Sequence, residues 1–456
     1  MTQLTQKRAD QGKANTTDRP LSIIYRSLTD LKLDPNNARL HTKKQIRQIA
    51  QSIETFGFIV PVLIDAQGKL LAGHGRVLAA QSLGMTQVPT IMIEHLIEPQ
   101  IRAFMIADNR LTENSAWDEQ LLAEQLKVLS ELELDFSVEV TGFEMTEIDL
   151  RIEGLAPGHD GEEDPADTPP ELPKNLQISH RGDLWSLDRH RIICGNALDE
   201  LSYKALLQNQ LAAMVFADPP YNVPIGGHAT GLGRIQHRDF EMASGEMTES
   251  KFGDFLTQTL SHLAEYSEKG TLHFICMDWR HMGELLAAGR QAYSELKNLC
   301  VWTKDNAGMG SLYRSQHELI FVFKSGKAPH RNNVELGQYG RYRTNVWHYP
   351  GVNSFSRKTA EGNLLELHPT VKPVALVADA ILDCTARNDV VLDPFIGSGT
   401  TIIAAERTGR ICFGIEIDPL YVDTAIRRWQ TFTGRAAINT SCGKTFNELE
   451  REAQNE

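Results

Sequence analysis

Long apolar runs are absent from this chain of 456 residues. No stretch approaches the roughly 20 apolar residues that a bilayer-spanning helix requires. The opening MTQLTQKRADQGKANTTDRP lacks the apolar centre of a secretory leader. Residues 1–20 are therefore expected to be a disordered lead, and the protein to be cytoplasmic with no membrane partner. Cysteine is scarce as well. Cys194, Cys276, Cys300, Cys384, Cys412 and Cys442 form no Cys-x-x-Cys pair, so neither a disulfide framework nor a zinc site follows, and no metal is expected. Several lie inside apolar runs, where a free thiol acts as a small hydrophobe. Positive charge is in deficit: the net charge is −13, which for the chain as a whole disfavours nucleic acid. The deficit is local, however. Asp160 to Glu171 and the terminal Glu448, Glu450, Glu452 and Glu456 carry much of it, while basic residues gather at Arg341 with Arg343 and at Arg427 with Arg428. Patches rather than totals bind polyanions, so a nucleic-acid partner stays open.

What is present is the composition of an ordinary globular protein, 41% hydrophobic and 23% charged, in a chain longer than one core usually serves. Residues 156–174, rich in Pro, Gly and acid side chains without an apolar period, read as a linker. They divide an N-terminal domain (21–155) from a larger one (175–436), with an acidic tail (437–456) behind. In the first domain Thr42 and Gln45 form a capping-box pattern ahead of Ile46, Ile49, Ala50 and Ile53, which share a helical face, and Gly57 is the stop. Residues 62–64 and 69–71 flank Ala66-Gln-Gly68, a hairpin signal. Gly73-His-Gly-Arg76 reads as a loop, followed by a short helix to Gly84, a strand over 88–93, and helices over 100–106 and 118–129. The second domain alternates strands (211–217, 271–277, 319–324, 390–392, 411–415) with helices (249–267, 373–384, 401–406, 419–430), Pro373 taking a first helical position. Such alternation predicts an α/β domain on a mostly parallel sheet, with ligands at the carboxyl ends of its strands.

Two stretches carry chemistry. Val390-Val-Leu-Asp393-Pro-Phe395-Ile-Gly397-Ser-Gly399-Thr400 runs from a buried strand through a Gly-rich turn into a helix, and glycine allows the tight turn and close approach of a ligand. Glu416 ends the next strand about 20 residues later, where such folds hold a ribose hydroxyl pair. Taken alone, two glycines and a strand-end Glu describe any tight turn. Arriving in this order they favour a nucleoside-type cofactor, and Gly-x-Gly without a third glycine disfavours a dinucleotide.

The other stretch is Asp218-Pro219-Pro220-Tyr221, delivered by the apolar run 213–217. Consecutive prolines extend neither a central strand nor a helix, so the tetrad is a stiff loop at a strand end. It holds a carboxylate and the Pro219 carbonyl in place beside an aromatic ring. An exocyclic amine on a nucleobase is a poor nucleophile because its lone pair is delocalised into the ring. Acceptors for its N–H groups favour a tetrahedral nitrogen, and an aromatic face holds a base that has left the duplex.

On these residues the segment from about 175 to 435 resembles the amino-group DNA methyltransferases, in the circular order that places the catalytic motif before the cofactor motif. The resemblance implies S-adenosylmethionine as cofactor and double-stranded DNA, with the target base flipped, as partner. Asp218, Pro219, Pro220 and Tyr221 match the family's catalytic tetrad. Asp393, Phe395, Gly397, Gly399 and Thr400 match its cofactor loop, and Glu416 its acidic ribose position. His368 and Lys372, in His-Pro-Thr-Val-Lys-Pro, resemble the segment that touches the methionine portion. Asn196 stands where the family usually has Asp. A tetrad headed by Asp resembles adenine-N6 members more than cytosine-N4 members, which more often carry Ser. Residues 242–363 are expected to hold target recognition, with Arg314, Arg341 and Arg343 on DNA beside Lys304, His317 and Trp347.

Leu31 to about Glu124 resembles the N-terminal domain of ParB-type partition proteins. The matching stretches are Ser52-Ile-Glu-Thr-Phe-Gly57, Pro61-Val-Leu, Gly73-His-Gly-Arg76 and Asp108-Asn109-Arg110. The resemblance implies that the Gly73 loop, Arg76 and Arg110 cradle the phosphates of a nucleotide, since guanidinium pairs bidentately with phosphate. Gly75 stands where the family's fuller loop has a second basic residue. The expected architecture is α/β, a Rossmann-like S-adenosylmethionine-dependent methyltransferase domain with a smaller N-terminal α+β ParB-like domain. The expected function is methyl transfer to adenine N6 in DNA. The alternatives are cytosine N4, or a nucleotide-dependent DNA-binding protein whose methylase domain is inert. The oligomeric state is left open, a dimer being one arrangement.

Overall fold

The computed structural model describes residues 21–35, 37–132, 134–155, 164–167, 176–223, 245–305, 312–336, 343–350 and 371–455, so the lead at 1–20 lies outside them. The chain divides into two compact units, Met1–Ile148 and Asp149–Glu456.

The first unit runs β1 (Ile23–Ser27), α1 (Lys43–Phe56), β2 (Val62–Ile64), β3 (Leu70–Ala72), α2 (His74–Ser82), β4 (Gln87–Met92), α3 (Glu98–Glu113) and α4 (Glu119–Glu131). Its four-stranded sheet has the order β1-β4-β2-β3, over a core that includes Val62, Ile64, Leu70 and Val77. The hairpin signal corresponds to the antiparallel pair β2 and β3. Gly68 turns it at φ 75°, where a Cβ would lie 2.7 Å from the Asp30 carbonyl. Thr42 caps α1 by accepting from the Gln45 N–H, but Gln45 does not close a capping box: its side chain meets His41 Nδ1 at 3.0 Å. Gly73 is not in a loop. It is the left-handed N-cap of α2, and His74, Gly75 and Arg76 are that helix's first turn. The last helix of this region, α5 (Met145–Glu153), spans the division between the units, which therefore falls earlier than residue 155.

The second unit continues with β5 (Leu184–Leu187), β6 (His190–Cys194), α6 (Glu200–Leu207), β7 (Ala212–Ala217), α7 (Glu249–Glu265), β8 (Ser267–Met277), α8 (Met282–Ala292), β9 (Glu295–Thr303), β10 (His317–Lys324) and β11 (Val346–His348). It ends with α9 (Val374–Cys384), β12 (Val390–Asp393), α10 (Thr400–Thr408), β13 (Ile411–Glu416), α11 (Pro419–Thr433), β14 (Ile438–Asn439) and α12 (Phe446–Asn455). Pro373 is the N-cap of α9 and not its first residue.

One ten-stranded sheet, β11-β9-β10-β8-β7-β12-β13-β6-β5-β14, organises this unit. Its centre, β8, β7, β12, β13 and β6, is parallel. These strands are buried on both faces. Met214, Phe216, Val391 and Cys412 pack to one side, and Val215, Ala217, Leu392 and Phe413 to the other. Double burial is what makes them near-continuous apolar runs in the sequence. The chain leaves β7 for β8 on one side, whereas β12 leads to β13 on the other. The carboxyl ends of the adjacent β7 and β12 therefore flank a topological switch point, the usual ligand crevice of such sheets. Strand β10 runs antiparallel between β8 and β9, so its first residues, not its last, reach that same edge.

Two expectations about the connecting and terminal segments are corrected. The stretch 437–456 is not a free acidic tail. β14 pairs with β5, Phe446 is fully buried against Trp185 with ring centroids 5.4 Å apart, and Glu450 accepts from Arg427 at 2.8 Å. Within the expected linker, Asp164 and Asp167 are buried. Asp164 pairs with Arg407 at 2.6 Å and Asp167 accepts from the Val374 N–H at 2.7 Å. Burial of these acids is tolerated because each has a donor.

Candidate active site

Asp218 leaves the end of β7 and Tyr221 follows at the rim of both cores. Asn222 locks the loop from behind: at φ 54° its Oδ1 accepts from the N–H groups of Gly245 and Met247, both at 3.1 Å. The Asp218 carboxylate is held on both oxygens. The Tyr221 hydroxyl donates to Oδ1 at 2.6 Å, and the Lys372 ammonium donates to Oδ2 at 2.5 Å. Lys372 was expected beside the cofactor, and it does line the cleft described below. Its ammonium nevertheless reaches the Asp218 carboxylate, which joins the segment ahead of α9 to the tetrad.

A second carboxylate, Glu318 at the start of β10, is buried in the same cluster. Lys372 donates to its Oε2 at 3.0 Å, and Lys304 donates to its Oε1. Trp302 forms the wall, with Lys304 Nζ 4.5 Å and Lys372 Nζ 5.8 Å from its ring centre. Burial raises the pKa of Asp218 against the pull of Lys372. Burial also opposes ionisation of Glu318, but Lys372 and Lys304 overcome it and hold the carboxyl down at about 2. Lys372, although desolvated, is kept protonated by its two carboxylates.

Beside this cluster a cleft opens along the ends of β6, β7, β12 and β13, lined by Gly195, Phe216, Asp393, Phe395, Gly397 and Glu416 among others. Asp393 fixes the turn after β12 by accepting from the Phe395 N–H at 2.9 Å and from Thr401 Oγ1 at 2.6 Å. Glu416 accepts from the N–H groups of Gly397 and Asp418, both at 2.9 Å. Burial pushes both carboxyls up to about 7. Gly397 and Thr400 line the cleft. Gly399 serves packing instead: it caps α10 at φ 88°, and a Cβ there would lie 2.9 Å from that of Ala425 on α11. Arg428 lies buried under this turn and donates to Thr400 Oγ1 at 3.0 Å. Apolar walls and buried carboxylates with lone pairs to spare suit a nucleoside bearing a cation.

The remaining expected residues divide. Asn196 is not in the lining of the cleft, although its neighbours Gly195 and Ala197 are; its Oδ1 accepts from the Leu198 N–H at 2.9 Å. Arg343 is not a free DNA contact. It ion-pairs with Asp379 at 2.6 Å and Asp383 at 3.0 Å, both on α9, and lies over the Trp347 ring. Arg314 is exposed, whereas Arg341 and His368 lie outside the described residues. Glu318 was missed. Its only signal was a carboxylate set directly before the apolar run that becomes β10.

In the first unit, Gly73, Arg76, Asn37, Arg39, His41 and Asn109 line a polar depression. Arg39 Nη1 donates to Asn109 Oδ1 at 2.7 Å. A Cβ on Gly75 would stand 3.0 Å from Ile49 Cδ1, so close packing of α2 on α1 leaves little room for a basic side chain there. Arg110 lines a neighbouring depression and pairs with Glu113 at 3.3 Å.

Comparison with known proteins gives three family matches. Residues 212–427 match the DNA methylase family, residues 13–110 the ParB N-terminal domain, and residues 120–179 the ParB-methyltransferase HTH domain, which takes in the whole of the expected linker. The ParB-like nuclease domain-containing protein YnaK of Escherichia coli is 46% identical over 80 residues, 18% of this chain and 92% of that protein. The Type II methyltransferase M2.MboI of Moraxella bovis is 28% identical over 253 residues, 52% of this chain and 87% of that protein. The DNA adenine methyltransferase YhdJ of Escherichia coli is 28% identical over 269 residues, 52% of this chain and 81% of that protein.

Proposed function

Because the chain belongs to the amino-group DNA methylases and carries a ParB-like domain ahead of the catalytic one, we propose that it transfers the methyl group of S-adenosylmethionine to adenine N6 in DNA. The observation that carries this reading is the Asp218 carboxylate, gripped by Tyr221 and Lys372, in the lining of the same cleft as Asp393 and Glu416. When bound, S-adenosylmethionine supplies an electrophilic methyl group on a sulfonium centre. Glu416, oriented by two backbone N–H groups, keeps lone pairs for the ribose hydroxyls, and Phe395 and Ile396 offer apolar walls to the purine. The carboxylates lining the cleft favour a cation there.

Asp218 accepts an N–H of the flipped adenine's amino group, and the Pro219-Pro220 backbone keeps that acceptor from drifting. The nitrogen lone pair, released from the ring by that hydrogen bond, would then be available to the methyl group that the bound cofactor supplies. The surplus proton on the methylated nitrogen passes to Asp218. Tyr221 presents its ring to the base that has left the duplex. Adenine is favoured over cytosine by the Asp at the head of the tetrad, and an adenine enzyme is among the relatives.

Incubating unmethylated DNA with isotopically labelled S-adenosylmethionine and analysing the nucleosides by mass spectrometry tests the proposal. N6-methyladenine is the expected product. N4-methylcytosine alone would move the acceptor, and no incorporation into any DNA would end the reading. Asp218→Ala should lower kcat by at least ~100-fold while leaving cofactor affinity nearly unchanged. A collapse of cofactor affinity would show that the two half-sites are not separate.

The depression of Arg39 and Arg76 supports a phosphate-bearing nucleotide as a second ligand, held by the first unit. Titration calorimetry with nucleoside triphosphates should register binding that Arg76→Ala removes without altering methyl transfer to naked DNA. No heat from any nucleotide would leave this unit as a DNA- or protein-binding module.

A further inference from the structure

The transfer described above uses one carboxylate, yet two are buried together. Glu318 accepts from Lys372 and lies within hydrogen-bond reach of the Tyr221 hydroxyl, the two groups that hold Asp218. Lys372 Nζ lies 2.5 Å from Asp218 Oδ2 and 3.0 Å from Glu318 Oε2. The Tyr221 hydroxyl lies 2.6 Å from Asp218 Oδ1 and 3.2 Å from the same Glu318 Oε2. Lys372 and Tyr221 close the ring at 3.3 Å. Lys304 occupies the other Glu318 oxygen. Two carboxylates thus share two donors, and a second cation sits at the outer end.

The packing around Glu318 does not call for a charge. It starts a strand whose next residues, Leu319 to Phe323, are buried apolar side chains, and a buried carboxylate is retained at a cost unless it is paired. Its arrangement answers a difficulty in the reaction instead. Each Asp218 oxygen already accepts from one donor, so an incoming amino group takes a second lone pair there and competes with Lys372 or Tyr221 for the same oxygen. A donor displaced into a buried site with no other acceptor would be left unsatisfied.

Resting on the reading that Asp218 accepts the target amine, we infer that Glu318 is a positioning residue, which shares Lys372 and Tyr221 with Asp218 so that either donor is released when the amine arrives. Lys372 then moves toward Glu318 without losing its ion pair, and Asp218 faces the amine with an open lone pair. Lys304 sets the balance by neutralising Glu318 from outside. Other groups facing this site are Cys276 on β8, whose thiol burial keeps neutral, and Asp393 at the end of β12. Neither touches Glu318 in the network of hydrogen bonds above, so both are common to every variant compared.

The test is the acidic limb of the kcat–pH profile for methyl transfer, read in two variants of the full-length protein. Glu318→Gln removes the charge that competes for Lys372. The Lys372–Asp218 pair tightens, Asp218 ionises at lower pH, and the limb moves down. The donor no longer has a charged acceptor to move to, so kcat falls about tenfold at the pH optimum, with the KM for cofactor unchanged. Lys304→Met acts oppositely: Glu318 draws Lys372 more strongly, Asp218 holds its proton to higher pH, and the limb moves up. General loosening of the site would not move the limb in opposite directions. Limbs that stay at the wild-type position, or that shift together, would overturn the inference while leaving the methyltransferase reading intact. If Glu318→Gln fails to fold, Lys304→Met, altered at the more exposed end, reads the same coupling alone: an unmoved or lowered limb overturns it. Absence of methyl transfer by the wild-type protein would remove the reading and this inference with it.

Discussion

Arg343 and Lys372 are both cations that sequence reasoning assigned to a ligand, and their partners in the fold separate them. Arg343 is engaged by Asp379 and Asp383 with its side chain 17% exposed, so its charge is used in tying residues 343–349 to α9. Breaking a largely buried pair from one side leaves the other charges uncompensated, which costs about 3–5 kcal/mol. Arg343→Met should therefore lower unfolding stability by that order in denaturant titration. It should leave the salt dependence of DNA affinity as it was, because a residue that neutralises no phosphate contributes nothing to the slope. A shallower slope with unchanged stability would restore the DNA-contact role. Lys372 differs because its carboxylate partners are themselves at the proposed reaction centre. Asp218 and Glu416 were legible from sequence since each follows an apolar run directly, at the strand end where ligands are expected. Glu318 was not, because the rule looks to where strands finish, and β10 runs the other way and brings its start to the site.

Among elements, legibility followed burial except at β6, which is buried on both faces yet too short a run to stand out in the sequence. β7, β8, β10, β12 and β13 are covered on both faces and stand out as apolar runs. β9 begins with the exposed Glu295, Leu296, Lys297 and Asn298, and β5 and β14 are short and lie at the sheet's far side. Strands of that kind carry neither a clean alternation nor a continuous run. α12 was hidden by composition. Its glutamates made the segment read as a solvated tail, yet Phe446, Leu449 and Ala453 fall at helical spacing and pack on the core. The Gly-rich turn shows the converse. Its two glycines were assigned one purpose, but Gly397 faces the cleft, and Gly399 lets α10 start hard against Ala425. Substituting Gly399 would require both a strained φ and a shift of α11, so its effect belongs to helix packing and not to ligand contact.

For the whole molecule, the buried carboxyls set a pH dependence opposite to the common one. Burial raises Glu153, Asp393 and Glu416 to about 7 and Asp167 to about 6, against ordinary values of 4.5 for Glu and 3.8 for Asp. Between those limits the folded protein binds more protons than the unfolded chain. Stability from these groups is therefore fully present at low pH and is lost as pH rises through about 7. Two other kinds of group act elsewhere. Glu318 and Glu406 are held at about 2 by cationic or hydrogen-bonding partners that outweigh burial, and they titrate far below this window. Burial keeps His273 neutral down to about 3, so it costs stability only as pH falls below the ordinary imidazole value of 6.5. From pH ~6.5 to ~8 the raised carboxyls dominate, and the Tm of the ligand-free protein should fall across that interval. A cationic cofactor favours the ionised forms of Asp393 and Glu416, so its binding should release protons and raise Tm more at pH 8 than at pH 6.5. Scanning calorimetry at the two pH values, with and without S-adenosylmethionine, measures both effects. Titration in buffers of different ionisation enthalpy counts the protons. A Tm that rises toward pH 8, or cofactor binding without proton release, would show that these carboxylates are already ionised in the folded protein and that the cleft is wetter than its packing implies.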